Sequence, residues 1–93
     1  MTIQPLHYID ISHLEALQPP GWGDIRLNFE YHVQSPFCDP LKLVIDDKIA
    51  GVGTTIRHTD TAWLAMIIVH PDYRNRGIGK AITEALIHSL DEK

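Results

Sequence analysis

Cysteine is nearly absent: Cys38 is the only one in 93 residues. The chain therefore cannot close an internal disulfide. That fits a reducing compartment, and the cytoplasm is the expected location. Cys38 sits between Phe37 and Asp39 with no basic neighbour to activate it, and reads as an inert thiol. Long apolar runs are missing too. The longest, Ala62 to Val69, is far too short to span a bilayer. The N-terminus, Met1-Thr2-Ile3-Gln4-Pro5, has no basic region followed by an apolar run, so no signal peptide is expected. Excess positive charge is lacking: 8 Lys and Arg face 12 Asp and Glu, a net charge of −4. That argues against general nucleic-acid binding, which needs a basic face. His7, His13, His32, His58 and His88 show no metal spacing such as H-E-x-x-H, so no metal site is expected. There is no internal repeat and no low-complexity segment. The length allows one small domain with a modest core.

The basic residues that are present concentrate in one stretch, His70-Pro71-Asp72-Tyr73-Arg74-Asn75-Arg76-Gly77-Ile78-Gly79-Lys80. Before it lies the apolar run Ala62 to Val69. After it, Ile78, Ala81, Ile82, Ala85, Leu86, Ser89 and Leu90 recur at helical spacing. The stretch is thus a glycine-bearing loop between a buried strand and a helix start. Gly77 and Gly79 allow close backbone approach, with a positive φ suited to Gly77. The first N–H groups of a helix are unpaired, and its dipole favours negative charge there. Arg74, Arg76 and Lys80 add fixed positive charge. This is the pattern of a phosphate or pyrophosphate cradle. It is not a Walker P-loop, because Ala81 follows Lys80 and offers no hydroxyl for magnesium. Nor is it a dinucleotide fingerprint, because Ile82 stands where a third glycine is needed.

The string Val69-His70-Pro71-Asp72-Tyr73 followed by Arg74-x-x-Gly77-x-Gly79 closely resembles the acetyl-CoA loop of the GNAT N-acetyltransferase superfamily. The resemblance covers the apolar strand, the loop and the following helix. It implies an α/β fold of the α+β type, an antiparallel meander of central strands with flanking helices. It implies acetyl-CoA as cosubstrate and a primary amine as acceptor. Ile67, Ile68 and Val69 match the strand that hydrogen-bonds the pantetheine arm. The amides of Arg74, Asn75, Arg76, Gly77, Ile78, Gly79 and Lys80 match those that take the pyrophosphate. No metal is implied. Many members place a carboxylate on or beside the strand before the loop, and this strand has none. Others use a tyrosine after the next strand and helix, a region outside this chain. No catalytic residue is therefore assigned. His70 and Asp72 belong to the loop, where a stabilising hydrogen bond is their expected role. Trp22, Phe29, Glu30 and Tyr31 match the region of the acceptor pocket. For Trp22 and Phe29 a core role is expected, and for Glu30 and the remaining histidines a solvated one.

In chain order, Leu6 to Ile9 reads as a first strand. Ser12 and Glu15 suggest a capping box for a helix that buries Leu14 and Leu17 and stops at Pro19-Pro20-Gly21. Asp24 can cap the next element, which runs to about Gln34. Alternation of Ile25, Leu27, Phe29, Tyr31 and Val33 favours a strand there, whereas the resemblance implies a helix, and a helix is the expectation adopted. Phe37 to Pro40 reads as loop. Leu41–Ile45, Ile49–Arg57 and Thr61–Val69 read as three strands joined by short turns. Gly51 and Gly53 suggest a bulge or close packing, and the apolar third strand should be central or covered on both faces.

The last helix reaches Lys93 with no capping glycine, asparagine or proline, and Asp91 and Glu92 oppose its dipole. Ile87 falls outside the apolar stripe. The chain is thus expected to be an incomplete GNAT domain, truncated after this helix. A missing C-terminal segment or a second copy would cover the open strand edge. Two readings compete with the acetyltransferase: a non-catalytic acyl-CoA-binding module, and a generic nucleotide-phosphate binder.

Overall fold

The computed structural model describes residues 1–91. The sequence expectations at Glu92 and Lys93 lie outside these. The fold is a mixed α+β arrangement. Strands β1 (Thr2–Pro5), β2 (Cys38–Ile45), β3 (Lys48–Arg57) and β4 (Ala62–Val69) form one antiparallel sheet in the order β1-β2-β3-β4. A 3₁₀ segment, Tyr8–Leu17, and helix α1, Ile25–Gln34, follow β1. Helix α2, Ile78–Asp91, follows β4. Among the described residues no helix is long and apolar enough to cross a membrane.

Two apolar clusters hold the layers together. On one face Leu14, Leu17, Ile25 and Phe29 pack with Val52 and Ile68 of the sheet. On the other, Ile78, Ile82 and Leu86 of α2 pack on Leu43 and Ala50. β4 contributes to both: Met66 and Ile68 to the first, Leu64, Ile67 and Val69 to the second. This explains its apolar character on both faces. The expected cover on both faces is found, although β4 lies at the edge of the described sheet rather than at its centre. Gly51 and Gly53 serve close packing. A Cβ there would stand 2.6 Å and 2.7 Å from atoms of Ile82, distances that force a shift in a filled core.

Several boundaries differ from the sequence expectation. The first strand is Thr2–Pro5, not Leu6–Ile9. Leu6 is buried, but Tyr8 and Ile9 are exposed and already belong to the 3₁₀ segment. The starting signal is not Ser12 with Glu15. The Asp10 carboxylate accepts from the His7 N–H at 2.9 Å and turns the chain earlier. Leu14 and Leu17 do face inward. Cys38 to Pro40, expected as loop, pair with β3 from Ile56 to Thr54.

The element from Asp24 is the helix. Asp24 Oδ1 accepts from the Arg26 N–H at 3.0 Å and caps it. Ile25, Phe29 and His32 are buried at helical spacing, while Leu27 and Tyr31, two of the alternating apolar residues, are exposed. At the β2–β3 hairpin, Asp46 and Asp47 both have positive φ, 51° and 64°. This is the two-residue turn whose twist suits the strands, and aspartate tolerates that conformation.

Candidate functional site

The site begins with a slip in the ladder between β3 and β4. Val52 pairs with Ile68 and Thr54 with Ala65, so one residue of β3, Gly53, faces two of β4, Met66 and Ile67. Met66 takes a φ of 56°, outside the usual region for a side chain of this kind. Such a bulge removes a residue from the ladder and re-aims its neighbours. Here it resets the alternation, so that Leu64 shares a face with Ile67 and Val69 rather than with Met66. The bulge suggested by the strand glycines falls at Gly53 on the β3 side, but sequence reasoning did not find Met66, its partner on β4. A continuous apolar run has no period that a one-residue slip could visibly break.

β4 ends at Val69, and His70 fixes the exit. Its N–H donates to the Ala50 carbonyl at 2.8 Å. Its Nδ1 accepts from the Asp72 N–H at 3.0 Å. This is the loop-stabilising role, and it occupies the ring nitrogen a proton-transfer role would need on that side. A short 3₁₀ turn, Pro71–Tyr73, follows. Asn75 and Gly77 then take positive φ, 66° and 74°. At Gly77 a Cβ would meet nothing within 4 Å, so backbone conformation rather than space requires the glycine.

Gly77 leads into α2, and its carbonyl accepts from the Ala81 N–H at 3.0 Å. The N–H groups of Ile78, Gly79 and Lys80 precede this first intrahelical bond and have no partner within the helix. Gly79 has an ordinary φ, and a Cβ there would approach only Val69 Cγ2, at 3.6 Å. Nothing in the fold demands glycine at this position. The absence of a side chain leaves the helix N-terminus open to a ligand.

These elements enclose a cleft of about 420 Å³. Ile67, Ile68 and Val69 line it from β4; Tyr73, Arg74, Asn75, Ile78 and Gly79 line it from the loop and helix start. Arg76, Gly77 and Lys80 are exposed beside it and do not form its wall. Arg76 instead lies over the Tyr73 ring. Pro19 and Trp22 supply a further wall. Trp22 is 52% exposed, so the core role expected of it does not hold, whereas Phe29 is fully buried. Tyr31 is exposed and Glu30 half-buried, and neither lines the cleft. Among the described residues, no carboxylate lines it and no cluster of metal-ligating side chains exists. Cys38 is buried, apart from this cleft.

The arrangement can take an anionic group at the start of α2, beside an apolar strand. Unpaired helix amides and Arg74 attract the anion. Among the described residues β4 pairs with β3 alone, which leaves backbone groups of its other edge unpaired within the sheet.

A four-stranded antiparallel sheet with helices on both faces is the mixed α+β fold of an acetyltransferase. The chain belongs to the Acetyltransferase (GNAT) family, which it matches over residues 7–93. It is 40% identical over 53 residues to the ribosomal protein bS18-alanine N-acetyltransferase of Salmonella typhimurium, covering 57% of this chain and 36% of that protein. It is similar in structure to the ribosomal-protein-S18-alanine N-acetyltransferase from Escherichia coli, with a TM-score of 0.85 and 27% identity over 98% of this chain and 59% of that one. An aminoglycoside 6′-N-acetyltransferase complexed with coenzyme A shares the fold, with a TM-score of 0.76 and 18% identity over 99% of this chain and 56% of that one. The chain thus spans less than two thirds of the length of each of these relatives.

Proposed function

We propose that this chain is the acetyl-CoA-binding part of an N-acetyltransferase that moves an acetyl group to a primary amine. The observation that carries the reading is the single cleft shared by the β4 edge, the Arg74–Gly79 loop and the open N-terminus of α2. In this reading the amides of Arg74 to Lys80 take the pyrophosphate. The backbone of Ile67, Ile68 and Val69 pairs with the pantetheine arm. Arg76 and Lys80 act from beside the cleft, as charges rather than as walls.

The amine nitrogen attacks the thioester carbonyl carbon, and the carbon–sulfur bond then breaks. The amine loses one proton, and the thiolate of coenzyme A takes one up. Holding both reactants in one cleft supplies proximity. A backbone N–H released from the ladder at the Met66 bulge is suited to polarise the carbonyl. No residue of this chain is assigned to the proton transfer.

The share of the relatives' length and the open edge of β4 support a domain that extends beyond these elements. A further strand, from the same polypeptide or a second copy, would pair with the part of that edge not used by the arm. Drawing on acetyl-CoA fits the cytoplasm, which also keeps Cys38 reduced.

The absence of a carboxylate from the described cleft keeps one second reading in view, a non-catalytic acyl-CoA-binding module. Acetyl transfer to a panel of amines, headed by an alanine-terminated peptide, distinguishes the two. Amine-dependent release of the coenzyme A thiol supports the enzyme. Tight binding of acetyl-CoA with no acetylated amine supports the module.

A further inference from the structure

Gln18 closes the 3₁₀ segment and opens the loop that leads to α1. Its side-chain amide is a hub. Nε2 lies 2.9 Å from the Gly23 carbonyl, 3.1 Å from that of Trp22 and 3.3 Å from that of Pro19. Oε1 accepts from the Ile25 N–H at 3.0 Å. Three carbonyls around one atom and an N–H against the other define the amide's orientation, because a flip would set oxygen against oxygen. Within the loop, the Trp22 N–H donates to the Pro19 carbonyl at 3.3 Å. Gly21, at a φ of 82°, and Pro20 occupy the two central positions of that turn. One amide thus ties both ends of the loop to the first residue of α1.

The loop presents Trp22. The residue is more than half exposed, and it shares the cleft with Ile67 and Ile68. A tightly latched loop that holds an indole at a cleft rather than in a core has prepared a surface for something else.

We infer that Trp22 is the wall against which the pantetheine arm of coenzyme A packs, and that Gln18 is the positioning residue that holds it there. The inference rests on the coenzyme A reading above. The arm is an aliphatic chain with amide groups, and an indole offers it a large apolar face. Because the loop is already ordered, binding need not order it, and that preorganisation favours affinity.

Replacing Trp63 by Phe leaves Trp22 as the one tryptophan, since the chain has two. Two probes separate the arm from the nucleotide: coenzyme A, and adenosine 3′,5′-bisphosphate, which lacks the arm. Coenzyme A should shift the Trp22 emission and the bisphosphate should leave it unchanged. Trp22→Ala should lower affinity for coenzyme A about tenfold and leave that for the bisphosphate unaltered. Gln18→Glu keeps the size but cannot donate to the three carbonyls, and should show the same selective loss. A merely structural defect would weaken both ligands alike. Bound coenzyme A with unshifted Trp22 emission, or an equal loss for the two ligands in Gln18→Glu, overturns the inference. So does full coenzyme A affinity in Trp22→Ala, a test that stands if Gln18→Glu does not fold. If neither ligand binds the unaltered protein, the coenzyme A reading falls and this inference with it.

Discussion

Arg76 lies over the ring of Tyr73, its guanidinium carbon 5.4 Å from the ring centroid. The His70 ring meets the same tyrosine edge-on, with centroids 5.5 Å apart. Tyr73 in turn packs against the cluster beneath α2. The positive charge beside the cleft is therefore mounted on the core through an aromatic stack, and a cation over a ring gains from the ring's quadrupole.

A salt and charge test follows from this mounting. Raising salt from about 0.1 M to about 1 M shortens the screening length from about 10 Å to about 3 Å, so coenzyme A affinity should weaken. Arg76→Glu should weaken it further at low salt. Tyr73→Phe keeps the ring and should be neutral, whereas Tyr73→Leu should show part of the Arg76 loss. Affinity measured by titration calorimetry that ignores salt would assign binding to the backbone amides alone.

Gly53 tests the packing of α2 on the sheet. A Cβ there would stand 2.7 Å from Ile82 Cγ2 and 3.1 Å from Leu86 Cδ1. Gly53→Ala should destabilise the fold by about 1–3 kcal/mol, read as a lower denaturant midpoint with an unchanged slope. An unaltered midpoint would mean that α2 can shift without cost.

His32 gives the fold a pH dependence. Burial holds its imidazole below the ordinary value of 6.5, and its Nδ1 lies 3.0 Å from the buried Thr54 hydroxyl. The unfolded chain therefore takes up the proton first. Its contribution to stability is present above about pH 6.5 and is lost as pH falls through the lower folded value. The melting temperature should drop as the solution is taken from neutral pH toward pH 5, and His32→Gln should flatten that limb. An equal drop in the variant would assign the slope to other groups.

The loop was legible because its chemistry is local. Glycines at Gly77 and Gly79, the basic residues and the following apolar stripe lie within a few residues of one another, and the structure brings Arg74, Ile78 and Gly79 to one cleft with Arg76, Gly77 and Lys80 beside it. The meander was legible from its turns. Other features depend on tertiary partners. The Met66 bulge is set by what β3 and both helical layers accept. The alternation from Ile25 to Val33 pointed to a strand, and burial of Ile25, Phe29 and His32 overrode it in favour of a helix. Trp22 was misjudged because a large apolar residue is ordinarily buried, and its placement depends on Gln18, whose side chain reaches across seven positions to Ile25.

Gly79 carries the central claim, that the open N-terminus of α2 takes the pyrophosphate of coenzyme A. A side chain at this position has room against Val69, so Gly79→Val should fold and keep its circular dichroism spectrum. Its branched side chain would stand where the phosphates approach. Titration calorimetry of coenzyme A with the unaltered protein and with Gly79→Val is the direct measurement. The account predicts binding to the first and a loss of at least about tenfold, some 1.4 kcal/mol, in the second; equal affinities would contradict it.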